Sequence, residues 1–120
     1  VIHVTIWKNR EDEITGFSVE GHSGYEESGK DIICASVSTL FYTAVNALED
    51  QLGWKDCYRI IDGDTPFTEV KMREIVSAEE KQISAIIFRT ICIGLTSLQE
   101  QVNEEYGGKY LQVKTKKKSH

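Results

Sequence analysis

Residues 31–53 read DIICASVSTLFYTAVNALEDQLG, and their spacing decides the fold. Ile33, Val37, Leu40, Phe41, Ala44, Val45, Leu48 and Leu52 recur at three- and four-residue steps, which places them on one stripe of a helix of about five turns. Asp31 stands where an N-cap would, its carboxylate able to accept a first-turn N–H, and Gly53 is placed to end the helix. Upstream the period is two. Ile2, Val4 and Ile6 alternate with His3, Thr5 and Trp7, a polar turn covers Lys8 to Glu13, and Ile14 to Glu20 is again extended with Phe17 and Val19 on one side. These two segments predict a β-hairpin.

Downstream the plan is repeated loosely. Cys57 to Ile61 and Phe67 to Ile75 predict a second strand pair around the turn Asp62-Gly63-Asp64-Thr65-Pro66. Ser77-Ala78-Glu79-Glu80 has the spacing of a capping box. Behind it Ile83, Ile87, Ile91, Gly94, Leu98 and Val102 mark a long helix that Gly107-Gly108 closes, and Leu111 and Val113 supply a short last strand. The order ββαββαβ predicts an α+β fold, an α/β sandwich in which a mostly antiparallel mixed sheet is packed by two long helices. Strands apolar on one face only predict helices on mainly one side, a helix on each face being the alternative.

At 120 residues the chain has room for one domain. With 40% apolar and 28% charged residues it has a globular balance. No uninterrupted apolar run approaches ~18 residues, so no membrane span is expected. Val1-Ile2-His3-Val4 lacks the basic and apolar regions of a secretory signal, which points to a cytoplasmic protein. Lys114, Lys116, Lys117 and Lys118 concentrate basic charge at the C-terminus, so residues 114–120 are expected to form a solvated tail outside a domain of residues 1–113. That domain holds ten basic against nineteen acidic groups, a net of −9. Such a body repels phosphate backbones and attracts basic proteins, so no nucleic acid is required as a direct partner. The open sheet face or the Ile-rich stripe of the second helix could serve a dimer contact.

Polar chemistry is concentrated between Gly21 and Cys34. His22 follows the second strand and Cys34 opens the first helix, so a loop carrying Gly21, Gly24 and Gly29 could fold back and bring imidazole and thiol together. First-turn N–H groups and the helix dipole favour a thiolate, and the same groups could hold an oxyanion. On these residues alone, a catalytic dyad and a structural thiol with a loop histidine both stand. Gly24 to Lys30 also fits G-x-x-x-x-G-K, but Asp31 occupies the Ser/Thr position, Glu26 and Glu27 would repel phosphates, and the preceding hairpin is antiparallel; a nucleotide site is not expected. Cys34, Cys57 and Cys92 form no C-x-x-C pair, and with His3 they lie on scattered elements, so neither a metal site nor a cofactor is expected.

Gly21-His22, Gly24 and then Gly29-Lys30-Asp31-Ile32-Ile33-Cys34-Ala35-Ser36-Val37-Ser38 resemble the signature of the bacterial ribosomal-processing cysteine protease family. Chain length, element order and Asn46-Ala47-Leu48 extend the resemblance over nearly the whole chain; Ser23 and Ser36 stand where the family usually has Ala. The resemblance implies a homodimeric endopeptidase that removes an N-terminal extension from a protein of the large ribosomal subunit, with His22 as general base and Cys34 as nucleophile. It leaves Asp31 to loop and helix-start geometry and Ser38 to a steadying hydrogen bond. A non-catalytic, ribosome-associated dimeric binding module is the alternative.

Overall fold

The computed structural model describes residues 1–21 and 30–117. Strands β1 (Ile2–Lys8) and β2 (Ile14–Glu20) precede helix α1 (Lys30–Leu52). Strands β3 (Tyr58–Ile61) and β4 (Phe67–Lys71), helix α2 (Ala78–Tyr106) and strand β5 (Leu111–Lys117) complete the chain. One five-stranded sheet has the order β3-β4-β2-β1-β5. The pairs β1–β2, β2–β4 and β3–β4 are antiparallel, whereas β1–β5 is parallel.

This order explains why both helices share one face. In each crossover, β2-α1-β3 and β4-α2-β5, the helix joins two strands that run in the same direction. The second crossover moves across the sheet the opposite way and starts from an oppositely directed strand. Right-handed connections then put both helices on the same side. The alternative of one helix per face is thereby excluded: α1 packs directly on α2, with Gly94 opposite Leu40 at a spacing where an added Cβ would stand 3.1 Å from Leu40 Cδ2.

A single core lies between the layers. Ile2, Val4 and Ile6 of β1, Phe17 of β2, Val70 of β4 and Leu111 of β5 meet Ile33, Val37, Phe41 and Leu48 of α1 and Phe88, Ile91 and Leu95 of α2. Phe41 sits edge-on to Phe17 at 6.3 Å between ring centres, and to Tyr58 at 6.4 Å. Both helices are long and apolar enough by composition to cross a bilayer, but each turns an apolar stripe onto this core as an amphipathic helix does.

Three boundaries differ from the expectation by more than one residue. β4 ends at Lys71 rather than Ile75: its ladder with β2 closes at Gly16↔Lys71, and Ile75 beyond it is 93% exposed. α1 begins at Lys30, which puts Asp31 inside the first turn instead of at the N-cap. β5 runs through Lys117, paired residue by residue with β1, so Lys114 to Lys117 belong to the sheet and not to a frayed tail. Lys117 also reaches Asp12, Oδ1 to Nζ 3.6 Å, across the β1–β2 turn.

The α2 start matches its sequence signature. Ser77 Oγ accepts the Glu80 N–H at 3.1 Å and Glu80 Oε1 accepts the Ser77 N–H at 2.9 Å. That backbone N–H, helped by the Trp54 indole N–H, holds the Glu80 carboxyl below its ordinary range. Stability from this source is complete above the unfolded-state value, about pH 4.3, and is lost as pH falls through the lower folded value. We expect Glu80→Gln to flatten the loss of stability below about pH 4.3, read as urea midpoints at neutral and acid pH. An unchanged acid slope would refute the assignment.

Candidate active site

The β2 end of the site is fixed by a glycine. Gly21 has φ +85°, and a Cβ there would lie 2.7 Å from the Val1 carbonyl oxygen. Its N–H donates to the Pro66 carbonyl at 2.9 Å, continuing the β2–β4 ladder by one bond. The left-handed backbone and the close approach both require glycine, so the chain leaves the sheet here in a direction a larger residue would not allow. His22, Gly24 and Gly29 lie outside the described residues.

The other end is α1. Cys34 is its fifth residue, half-buried and packed against the core cluster. Helical side chains lean toward the N-terminus, so the thiol is directed back over the first turn. Because the helix starts two residues early, Cys34 lies at the opening of the second turn rather than at the third helical position. The unpaired N–H groups belong to the turn its side chain overlies. Asp31, exposed in that turn, places a carboxylate at the positive end of the helix dipole. Ser36 turns its hydroxyl back to the Ile32 carbonyl at 2.8 Å. Ser38 is exposed one turn beyond Cys34 and makes no side-chain hydrogen bond among the described residues, so its expected steadying contact is not formed within them.

The remaining thiols have different surroundings. Cys92 is buried in α2, and burial pushes its thiol up to about 12. Cys57 is buried just before β3; burial raises its thiol despite the neighbouring Arg73 guanidinium. The three cysteines form no disulfide. Among the described residues no cluster of His, Cys, Asp and Glu could hold a metal ion.

Next to the start of α1, a cleft of about 130 Å³ opens between Ile32, Ile33 and Ser36 and the last turns of α2. Larger clefts lie elsewhere: one of about 370 Å³ runs between Asp56 and Glu74 beside β3 and β4. Neither contains Cys34, so cavity size does not locate the chemistry. Sequence reading missed one feature of this neighbourhood: Phe41, two turns along α1 from Cys34, touches the ring of Tyr58 on β3 and so joins the helix to a sheet edge.

The fold and sequence have known counterparts. A crystal structure of a Streptococcus mutans protein superimposes with TM-score 0.79 at 24% identity, covering 98% of this chain and 96% of that one. The Staphylococcus aureus essential ribosomal processing protease Prp, solved with a substrate peptide, gives 0.66 at 22% identity, covering 98% and 100%. In sequence, ribosomal processing cysteine protease Prp of Staphylococcus aureus (strain Mu50) is 27% identical over 104 residues, 87% of this chain and 93% of the relative. The Bacillus subtilis protein of the same name is 23% identical over 104 residues, 87% and 92%. The family description "Cysteine protease Prp" matches residues 1–107, from β1 through the end of α2 and hence through every element that frames Cys34. The chain belongs to the cysteine protease Prp family.

Proposed function

We propose that this protein is a cytoplasmic, homodimeric endopeptidase that removes the N-terminal extension of a large-subunit ribosomal protein, with His22 as general base and Cys34 as nucleophile. The observation that carries the reading is the contrast among the thiols. Cys34 alone of the three is part-exposed, while Cys57 and Cys92 are buried. The names of the Staphylococcus aureus and Bacillus subtilis relatives support the substrate class. The net charge of −9 over residues 1–113 suits a basic ribosomal protein and requires no nucleic acid.

In this mechanism the His22 imidazole takes the Cys34 thiol proton, and the thiolate attacks the scissile carbonyl carbon. The unpaired first-turn N–H groups of α1 face the developing oxyanion. Collapse breaks the C–N bond as the imidazolium returns its proton to the leaving amine. Water, deprotonated by His22, then attacks the thioester and releases the new carboxylate and the thiol.

Iodoacetamide labelling read by peptide mass mapping tests the assignment. We expect Cys34 to be modified at least about tenfold faster than Cys57 and Cys92, and to slow in His22→Ala. Equal, slow labelling of all three thiols would overturn the dyad.

A further inference from the structure

The two edges of the sheet are built differently. β5 carries Lys114, Lys116 and Lys117, the charged guarding that deters strand addition. β3 has no such guard. Tyr58, Ile60 and Ile61 are 44%, 40% and 47% exposed. The single charge of the strand, Arg59, lies over the Phe67 ring at 5.4 Å and reaches Glu69 at 3.5 Å, so it turns to the open face of the sheet rather than across the edge.

The ladder fixes which backbone groups this edge offers. Lys71 donates its N–H to the Cys57 carbonyl, Met72 to Thr15, and Gly21 to Pro66. Hydrogen-bonded pairs alternate in an antiparallel ladder. Arg59↔Glu69 and Ile61↔Phe67 are therefore the bonded pairs, and the N–H and C=O of Tyr58 and Ile60 point away from β4.

This edge leads to the active site. Glu20, Phe67 and Ile61 stand in one row across β2, β4 and β3, so the Ile61 end is about 10 Å from the strand end that continues into Gly21. At its other end Tyr58 touches Phe41, about 10 Å along α1 from Cys34. Asp62 and Asp64, both exposed, flank the Ile61 end with negative charge.

We propose that β3 is the docking strand for the polypeptide substrate: an extended stretch of a basic substrate adds as a sixth strand, bonding to the outward N–H and C=O groups of Tyr58 and Ile60. This rests on the protease reading of Cys34. The apolar side chains at Tyr58 and Ile60 meet alternate substrate side chains, and Asp62 and Asp64 favour cationic ones.

Hydrogen exchange in the Cys34→Ala protein, with a peptide spanning the extension junction as probe, reads the docking directly. The Tyr58 and Ile60 amides should exchange fast alone and slow at least about tenfold with peptide, while the already bonded Arg59 and Ile61 amides change little. In an otherwise native protein, Ile60→Pro removes only an outward N–H and should raise KM about tenfold with kcat nearly unchanged. Its Cys34 alkylation rate and melting temperature should match the parent. No amide protection together with an unaltered KM would overturn the docking strand. So would concentration-dependent protection without peptide, which would make β3 a self-pairing edge. If the native protein fails to cleave the peptide, the protease reading fails separately, and the exchange pattern still decides whether the edge binds it.

Discussion

Cys34→Ala should abolish cleavage of a peptide spanning the extension junction, lowering kcat/KM by about 10³-fold or more, and His22→Ala should do the same. The double variant should be no worse than either single one, because a nucleophile without its base and a base without its nucleophile are equally unable to form the thioester. Ala is a good helix former, and Cys34 is only half-buried, so the Cys34→Ala protein should keep its fold, with melting within a few degrees of the parent. Turnover retained in either single variant would remove that residue from its role. Additive losses in the double variant would show that the two groups act independently.

Trp54→Ala should be the most damaging core substitution. The side chain is 1% exposed although it lies just beyond the end of α1. Its indole N–H donates to Glu80 Oε2 at 3.1 Å, its backbone N–H donates to the Leu48 carbonyl at 3.3 Å, and the Arg73 guanidinium stands 5.6 Å from the ring centre. One residue thus ties the end of α1 to the start of α2 and the β4 exit. Emptying that site removes a large buried apolar surface and leaves a cavity, at a cost of about 4 kcal/mol. For a domain of this size the melting temperature should fall by roughly 15 °C. Trp54→Phe keeps most of the packing and loses the indole bond, so it should cost about 1–2 kcal/mol. Urea unfolding measures both, and an alanine variant that loses under about 1 kcal/mol would refute the packing argument.

The parts of the fold legible in the chain are those written locally. The 3.6-residue stripe from Ile33 to Leu52, the alternation in residues 2–6 and the Ser77–Glu80 capping box each record a structure that neighbours in sequence create. What escaped was set by distant partners. Arg73 to Ile75 continue the alternation of β4, but the β2–β4 ladder closes at Gly16↔Lys71 with one further bond from the Met72 N–H to the Thr15 carbonyl, beside the shift in the β1–β2 register, so the strand stops. Lys114 to Lys117 look like a solvated run, yet β1 supplies a parallel ladder that orders them. Trp54 is a lone apolar residue in a polar stretch, and only the convergence of two helix ends buries it. At the site, the Gly-His and Asp-x-x-Cys spacing carried the resemblance to the family to which the chain belongs, and the positive φ of Gly21 gives a backbone reason for the glycine at the end of β2. The two-residue shift of the α1 start was beyond reach, because Asp31 is equally acceptable at a cap and within a first turn.

The parallel β1–β5 pairing bears on synthesis as well as on stability. β1 is made first and its ladder partner last, with more than a hundred residues between Ile2 and Leu111. A nascent chain can form the hairpin, both helices and the β3–β4 pair while one side of β1 still lacks its neighbour. Joining sequence-distant strands is slow because the loop-closure entropy must be overcome first. The emerging polypeptide therefore carries a sticky β1 flank until Leu111 to Lys117 clear the ribosome and seal it.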